Sequence, residues 1–293
     1  MANFRLEGMG VALITPFHSD KSIDFDALSR LIDYQIAEGV DFLVVLGTTA
    51  ETATLTCNEK RLVREHIVKQ VNGRVPLVVG IGGNNTMAVI EELNTTDLTP
   101  FSAVLSVVPY YNKPSQEGIY RHYEAIAAAS PLPVILYNVP GRTGVNMTAE
   151  TTLRIAHNIP NVIGIKEASG NFSQIDEIIK RKPASFNVIS GDDGITFPLI
   201  AFGAVGVISV IGNAFTRDFS RMVRLALDGD YKQALGIHHK FTELFSLLFV
   251  DGNPAGVKCL LHAMGFIENE LRLPLVPTRL DTNAKIKGIL ASF

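Results

Sequence analysis

Residues 162–168 read Val162-Ile163-Gly164-Ile165-Lys166-Glu167-Ala168, a short apolar run closed by a charged pair. The run lacks the in-out alternation of a half-buried strand, so it reads as a strand covered on both faces, as in parallel sheets flanked by helices. Runs of the same kind occur at residues 11–14, 42–46, 77–81, 103–108, 134–137, 187–190 and 205–210. Their starts lie roughly 20 to 35 residues apart, close to the size of a βαβ unit. Most of the intervening segments have helical periodicity: in residues 26–38 the positions Leu28, Leu31, Ile32 and Gln35 mark one face and Gly39 ends the helix. Strands alternating with helices in this number predict an α/β fold, a (β/α)8 TIM barrel. The rival, an open doubly wound sheet, would show Gly-x-Gly-x-x-Gly after its first strand. Here that strand runs into Thr15-Pro16-Phe17. The loop Gly80-Ile81-Gly82-Gly83-Asn84-Asn85 follows the third strand and lacks the third glycine, so it reads as a tight turn rather than a phosphate cradle.

After about residue 225 the strand signal stops. Residues 230–249 are amphipathic and helical, Asn253-Pro254 reads as a cap followed by Pro at the first helical position, and residues 282–290 form a last helix. The expected division is a catalytic barrel over residues 1–224 and a small C-terminal helical extension over residues 225–293.

Composition narrows the partners. With 26 Lys and Arg against 29 Asp and Glu among 293 residues, the chain has a net charge of −3 and no surplus to neutralise a nucleic-acid backbone. A hydrophobic share of 47% excludes disorder. Cys57 and Cys259 lie far apart and read as reduced thiols of a cytoplasmic protein. Met1 to Gly10 contains Arg5 and Glu7 and lacks the apolar core of a secretory signal. No stretch of about 18 apolar residues suggests a membrane span.

Active sites of such barrels lie at the carboxyl ends of the strands. Thr48 and Thr49 end the second strand, Tyr110 and Tyr111 follow the fourth, Tyr137 closes the fifth with Arg142 shortly after, and Lys166 closes the sixth. A lysine over a desolvated barrel mouth has its pKa pulled down from about 10.4 and becomes a nucleophile toward a ketone. The alternatives are a lysine that extends to solvent or pairs with Glu167. Tyr137 either moves protons or packs with its hydroxyl on a carbonyl. Thr48 and Thr49 either serve a site or cap the next helix. The Tyr110-Tyr111 pair covers a site or serves a subunit contact. Arg142, between Gly141 and Thr143, suits a carboxylate ligand or a structural pair. Metal binding is poorly supported: adjacent His238 and His239 diverge on a helix, and Asp192-Asp193 fits a helix cap better than a cation site. A lysine mechanism without metal or cofactor is expected.

Taken in order, Gly47-Thr48-Thr49-x-Glu51, Pro109-Tyr110-Tyr111-Asn112, Tyr137-Asn138-Val139-Pro140-Gly141-Arg142-Thr143-Gly144 and Gly164-Ile165-Lys166-Glu167-Ala168 resemble the dihydrodipicolinate synthase family, across essentially the whole chain. The lysine and tyrosine motifs are shared with the wider pyruvate-dependent aldolase superfamily, which includes N-acetylneuraminate lyase and keto-deoxy sugar acid aldolases. The Tyr-Tyr pair and Arg142 favour the synthase. The resemblance implies that Lys166 forms a Schiff base with pyruvate, whose enamine adds to L-aspartate 4-semialdehyde. It also implies that Tyr137 carries protons through Thr49 to Tyr111 of a neighbouring subunit, and that Arg142 holds the second substrate's carboxylate. Thr48, Thr49, Gly191 and Ile208 would line the pyruvate site, and the assembly would be a homotetramer of tight dimers.

Two departures stand out. Ala50 takes the place where the family usually has glycine, which is tolerable at negative φ, and Thr52 the place where serine is common. The lysine-feedback site of the family corresponds to Thr52, Ala53, Lys60, Asn84 and Tyr110, with Ala88 where an acid is usual. Ala88 supplies no anion and Lys60 repels a cation, so weak or absent feedback by lysine is expected. The other readings are a sugar-acid lyase with the same lysine chemistry and a barrel that only binds a keto acid.

Overall fold

The structure is a computed structural model that describes residues 5–293. Among the first ten residues, read above for a leader, positions 1–4 lie outside the described residues. The strands β1 (Gly8–Ala12), β2 (Phe42–Val45), β3 (Leu77–Gly80), β4 (Ala103–Val107), β5 (Val134–Asn138), β6 (Val162–Glu167), β7 (Asn187–Ser190) and β8 (Gly206–Ser209) form a closed barrel in sequence order. Every recorded strand pair is parallel. Helices separate consecutive strands and more follow the last, so the fold is a TIM barrel with C-terminal helices. No helix among the described residues is long and apolar enough to cross a membrane.

The chain falls into two compact units. The first runs from Pro76 to Ile208 and takes in residues 5–8; the second comprises Met9–Val75 and Ser209–Phe293. In the first, β3 to β7 lie side by side, and Leu105, Val134, Leu136, Ile165 and Ile189 are all at most 5% exposed. In the second, β1 pairs with β2, and the helix Phe25–Ala37 buries Leu28, Leu31, Ile32 and Gln35, the face expected from periodicity. Asp24 starts that helix by accepting a hydrogen bond from the Ala27 N–H, and Gly39, at φ +85°, ends it in a conformation that disfavours other residues.

Three differences from the sequence reading have a local cause or change an assignment, beside shifts of one or two residues elsewhere. β1 begins at Gly8, three residues before residue 11, because its glycines are required by close packing: a Cβ on Gly10 would lie 2.2 Å from the Phe42 ring. The helix Ala255–Ala263 starts after Pro254, which occupies its N-cap position without a side-chain capping bond, in place of the expected Asn253. The last helix spans Leu280–Leu290, two residues longer at its start than the periodicity suggested.

Candidate active site

Register in the first unit sets the central pair. Tyr137 at the end of β5 lies beside Lys166 at the end of β6, and Asn138 beside Glu167. Alternation along a strand sends neighbouring side chains to opposite faces, so Lys166 and Glu167 face different surroundings. Lys166 is 6% exposed and does not extend to solvent. Its Nζ stands 4.4 Å from the centroid of the Tyr137 ring, within range of a cation–π contact. Burial pulls its pKa down to about 8; the Asp193 carboxylate opposes that shift and the Arg142 guanidinium adds to it.

Glu167 is fully buried and its carboxylate is engaged elsewhere. It accepts hydrogen bonds from Asn138 Nδ2 at 2.8 Å, Gln174 Nε2 at 2.9 Å and the Ser169 N–H at 2.8 Å. Asn138 in turn donates to Asn146 Oδ1 and accepts from the Met147 N–H. Burial pushes the Glu167 carboxyl above its ordinary range, and these donors pull against it. The network fixes the strand end that presents Lys166.

Gly191, after β7, leaves the room that the lysine stem occupies. A Cβ there would lie 2.9 Å from Lys166 Cε and 2.8 Å from Ala168 Cβ. Asp192 accepts from the Gly194 N–H at 2.9 Å, so the first aspartate of the pair is a cap, whereas Asp193 is buried and acts electrostatically on Lys166. Ile208, on β8, is 1% exposed. Arg142 sits exposed on the short helix Pro140–Thr143, directly after β5. Thr143 Oγ1 ties that turn by donating to the carbonyls of Val139 and Val145.

The β4 loop presents Tyr110 and Tyr111. Tyr111 has φ +72° and is 87% exposed. Asn84 Nδ2 donates to the Tyr110 carbonyl at 3.1 Å, and Asn112 Nδ2 donates to the Asn84 carbonyl at 3.0 Å. The glycine-rich turn after β3 thus braces the tyrosine loop and ends at Asn85, which caps the helix Thr86–Thr95 containing Ala88.

In the second unit the residues after β2 form a 3-10 turn, Thr48–Ala50, with no side-chain cap. Thr49 is buried and Thr48 exposed. Ala50 lies inside that turn, where φ is negative, so alanine fits without strain; its carbonyl accepts from Thr15 Oγ1 at 2.8 Å. A second 3-10 turn holds half-buried Thr52 and exposed Ala53, and Lys60 is half-buried on the helix Cys57–Val71.

Sequence reasoning missed three groups in this unit. Asn253 Nδ2 donates to Thr49 Oγ1 at 3.1 Å. Glu51, at φ +55°, forms a fully buried ion pair with Lys258, Oε1 to Nζ 2.5 Å. Lys258 also donates to the Glu270 carbonyl at 2.9 Å and lies 4.1 Å from the Phe17 ring centroid. Burial lowers its pKa to about 8 against the pull of Glu51. One signal was present: a lysine in the apolar run of residues 255–261 is fully buried only with a partner. Among the described residues no cluster of three His, Cys, Asp or Glu could hold a metal ion. Cys57 and Cys259 are both free thiols.

The chain that carries this geometry resembles known proteins. The family model described as "Dihydrodipicolinate synthetase family" matches residues 5–292. A 4-hydroxy-tetrahydrodipicolinate synthase of Phocaeicola vulgatus is 69% identical over 290 residues, covering 99% of this chain and 98% of that one. The crystal structure of dihydrodipicolinate synthase from Thermotoga maritima matches with a TM-score of 0.95 at 40% identity, covering 98% of each chain. A chloride-inhibited dihydrodipicolinate synthase from Acinetobacter baumannii, complexed with pyruvate, matches with a TM-score of 0.95 at 39% identity over 98% of each chain.

Proposed function

The chain belongs to the dihydrodipicolinate synthetase family, and from that premise we infer that it is a lyase that condenses pyruvate with L-aspartate 4-semialdehyde to 4-hydroxy-tetrahydrodipicolinate, in lysine and diaminopimelate biosynthesis. The observation that carries the reading is Lys166, buried at the end of β6 with its pKa brought down to about 8. At neutral pH a fraction of its amine is unprotonated and nucleophilic, which an ordinary surface lysine does not offer.

The amine attacks the keto carbon of pyruvate, and loss of water from the carbinolamine gives an iminium on Lys166. That cation draws electrons from the neighbouring methyl, which loses a proton to become an enamine. The enamine carbon bonds to the aldehyde carbon of L-aspartate 4-semialdehyde. The amino group of that substrate then adds to the iminium carbon, closes the ring and expels the Lys166 amine. We assign the proton transfers to Tyr137, Thr49 and Tyr111, since several protons must move at one small site and hydroxyls can pass them. Arg142 is assigned to the carboxylate of the second substrate, for which a forked donor on an exposed loop is suited. Thr48, Gly191 and Ile208 are assigned to the pyruvate pocket. Residues 1–224 form the catalytic part and residues 225–293 the extension.

We further propose a cytoplasmic homotetramer built from tight dimers, with Tyr111 completing the neighbouring site. Its side chain is 87% exposed on a left-handed backbone, an arrangement suited to burial against a second copy. The test is borohydride reduction in the presence of pyruvate, followed by turnover with L-aspartate 4-semialdehyde, N-acetylneuraminate and keto-deoxygluconate in turn. A pyruvate adduct on Lys166 and turnover with the semialdehyde are expected. Activity confined to the sugar acids, or no adduct where a control aldolase is labelled, overturns the reading.

A further inference from the structure

We propose that Asn253 is a positioning residue that sets the direction in which the Thr49 hydroxyl passes its proton. This rests on the assignment of Thr49 to proton transfer. A hydroxyl has one hydrogen to give and two lone pairs to receive with. Asn253 Nδ2 donates to Thr49 Oγ1 at 3.1 Å, and both residues are buried. One lone pair of Thr49 is thereby occupied, and its hydrogen is turned to a group other than Asn253.

The Thr49 turn is held in place around this bond. The Glu51 N–H donates to the Thr48 carbonyl at 3.1 Å, and the Glu51 carbonyl accepts from both the N–H and the hydroxyl of Thr54. The Glu51 carboxylate is gripped by Lys258 Nζ at 2.5 Å and by the Arg272 N–H at 3.1 Å. Lys258 lies on the helix that begins directly after Asn253-Pro254. The segment that supplies the amide to Thr49 is therefore also the one that supplies the cation to Glu51, two residues further along the turn. A pair with no solvent exposure on either side is costly to keep unless its geometry is fixed. Here the consequence of that fixity is a Thr49 oxygen held against one amide nitrogen.

The test compares Asn253→Asp with Asn253→Ala. A carboxylate has no hydrogen to give, so Asn253→Asp takes the Thr49 hydrogen and reverses the bond, whereas Asn253→Ala only leaves the lone pair empty. Borohydride labelling of Lys166 with pyruvate is expected to remain in both, which separates this inference from the Schiff-base reading. In Asn253→Asp, kcat and the exchange of pyruvate methyl hydrogens with deuterated solvent are expected to fall by about tenfold or more. The solvent isotope effect on kcat is expected to rise, with KM for pyruvate little changed and with Asn253→Ala losing less. Wild-type exchange in Asn253→Asp would show that the amide accepts from Thr49 rather than donates and would overturn the proposal. Equal losses in both variants, in step with a lowered thermal midpoint and an unchanged isotope effect, would reduce Asn253 to packing and overturn it as well.

Discussion

The ammonium nitrogen of Lys166 lies 4.4 Å from the centre of the Tyr137 ring, on the strand next to it and at the same level of the register. The ring face favours the charged form and the surrounding burial disfavours it. Burial is the larger influence, and the amine comes to about 8. A small change in pH near neutrality therefore changes the nucleophilic fraction considerably.

That balance has a consequence for stability. A lysine at about 8 in the folded chain and 10.5 in the unfolded one binds fewer protons when folded throughout the interval between them. Stability then rises with pH across that interval, and below about 8 the penalty for the buried charge is fully present. Lys166→Met is expected to stabilise the fold at pH 7 by an amount on the order of 1–3 kcal/mol, a gain that fades as pH rises from 8 toward 10.5. Denaturant unfolding of both proteins at pH 7 and pH 10 checks this. The same variant should give no pyruvate adduct, and the initial rate of adduct formation by the wild type should rise as pH passes through about 8.

Arg142 sits exposed on the short helix after β5, whereas Lys166 lies at the end of β6. Arg142→Ala is expected to leave borohydride labelling with pyruvate intact while raising KM for L-aspartate 4-semialdehyde by about tenfold or more, because a charge-assisted, two-pronged contact is lost. Arg142→Lys should recover only part of it, since a point charge cannot reproduce the fork. Steady-state kinetics with each substrate varied separately decides the matter: an equal effect on both KM values would remove Arg142 from carboxylate recognition.

Much of this arrangement was legible in the sequence. A parallel strand covered on both faces is a continuous apolar run, so seven of the strands were found within two residues of their limits. β1 was displaced because Gly8 and Gly10 lower its apolar signal, while the structure needs them for close approach. A Cβ on Gly206 would fall 1.9 Å from the Gly8 carbonyl oxygen, just as one on Gly10 would strike Phe42. Lys166, Tyr137 and Thr49 stood out as candidates because strand ends carry chemistry in this fold. Asn253 and Lys258 were not, since their partners Thr49 and Glu51 lie more than 200 residues away and no local period connects them. Asp193 was read as one of a capping pair, and only the fold separates Asp192, the cap, from Asp193, the charge that acts on Lys166.

Feedback by lysine depends on a cationic effector finding an anion. Among the positions matched to the family's effector site, Asn84 spends its side-chain amide on the Tyr110 carbonyl, Ala88 has no charge to offer, and Lys60 is itself a cation. Added L-lysine is therefore expected to leave the steady-state rate within about twofold of its uninhibited value, and Ala88→Glu to strengthen any inhibition that remains. Potent inhibition of the unaltered protein would show that other groups supply the anion.

The space beside Lys166 gives the sharpest structural test. A methyl group on Gly191 would sit 2.9 Å from Lys166 Cε and 2.8 Å from Ala168 Cβ, both closer than such atoms approach. Ala168 is fixed through the bond from its N–H to the Asn138 carbonyl, and Gly191 is fixed through its own N–H to the Glu167 carbonyl at 2.7 Å. Neither backbone can yield easily, so the flexible lysine stem is the part that moves. Gly191→Ala is expected to displace the amine from its place over Tyr137, lowering the rate of borohydride labelling and kcat together by about 10- to 100-fold. The accompanying cost in stability should be about 1–3 kcal/mol, as for other overpacked sites. Mass-spectrometric labelling over time measures the first effect and denaturant unfolding the second; labelling at the wild-type rate would mean that the stem's present path is not the one the reaction uses.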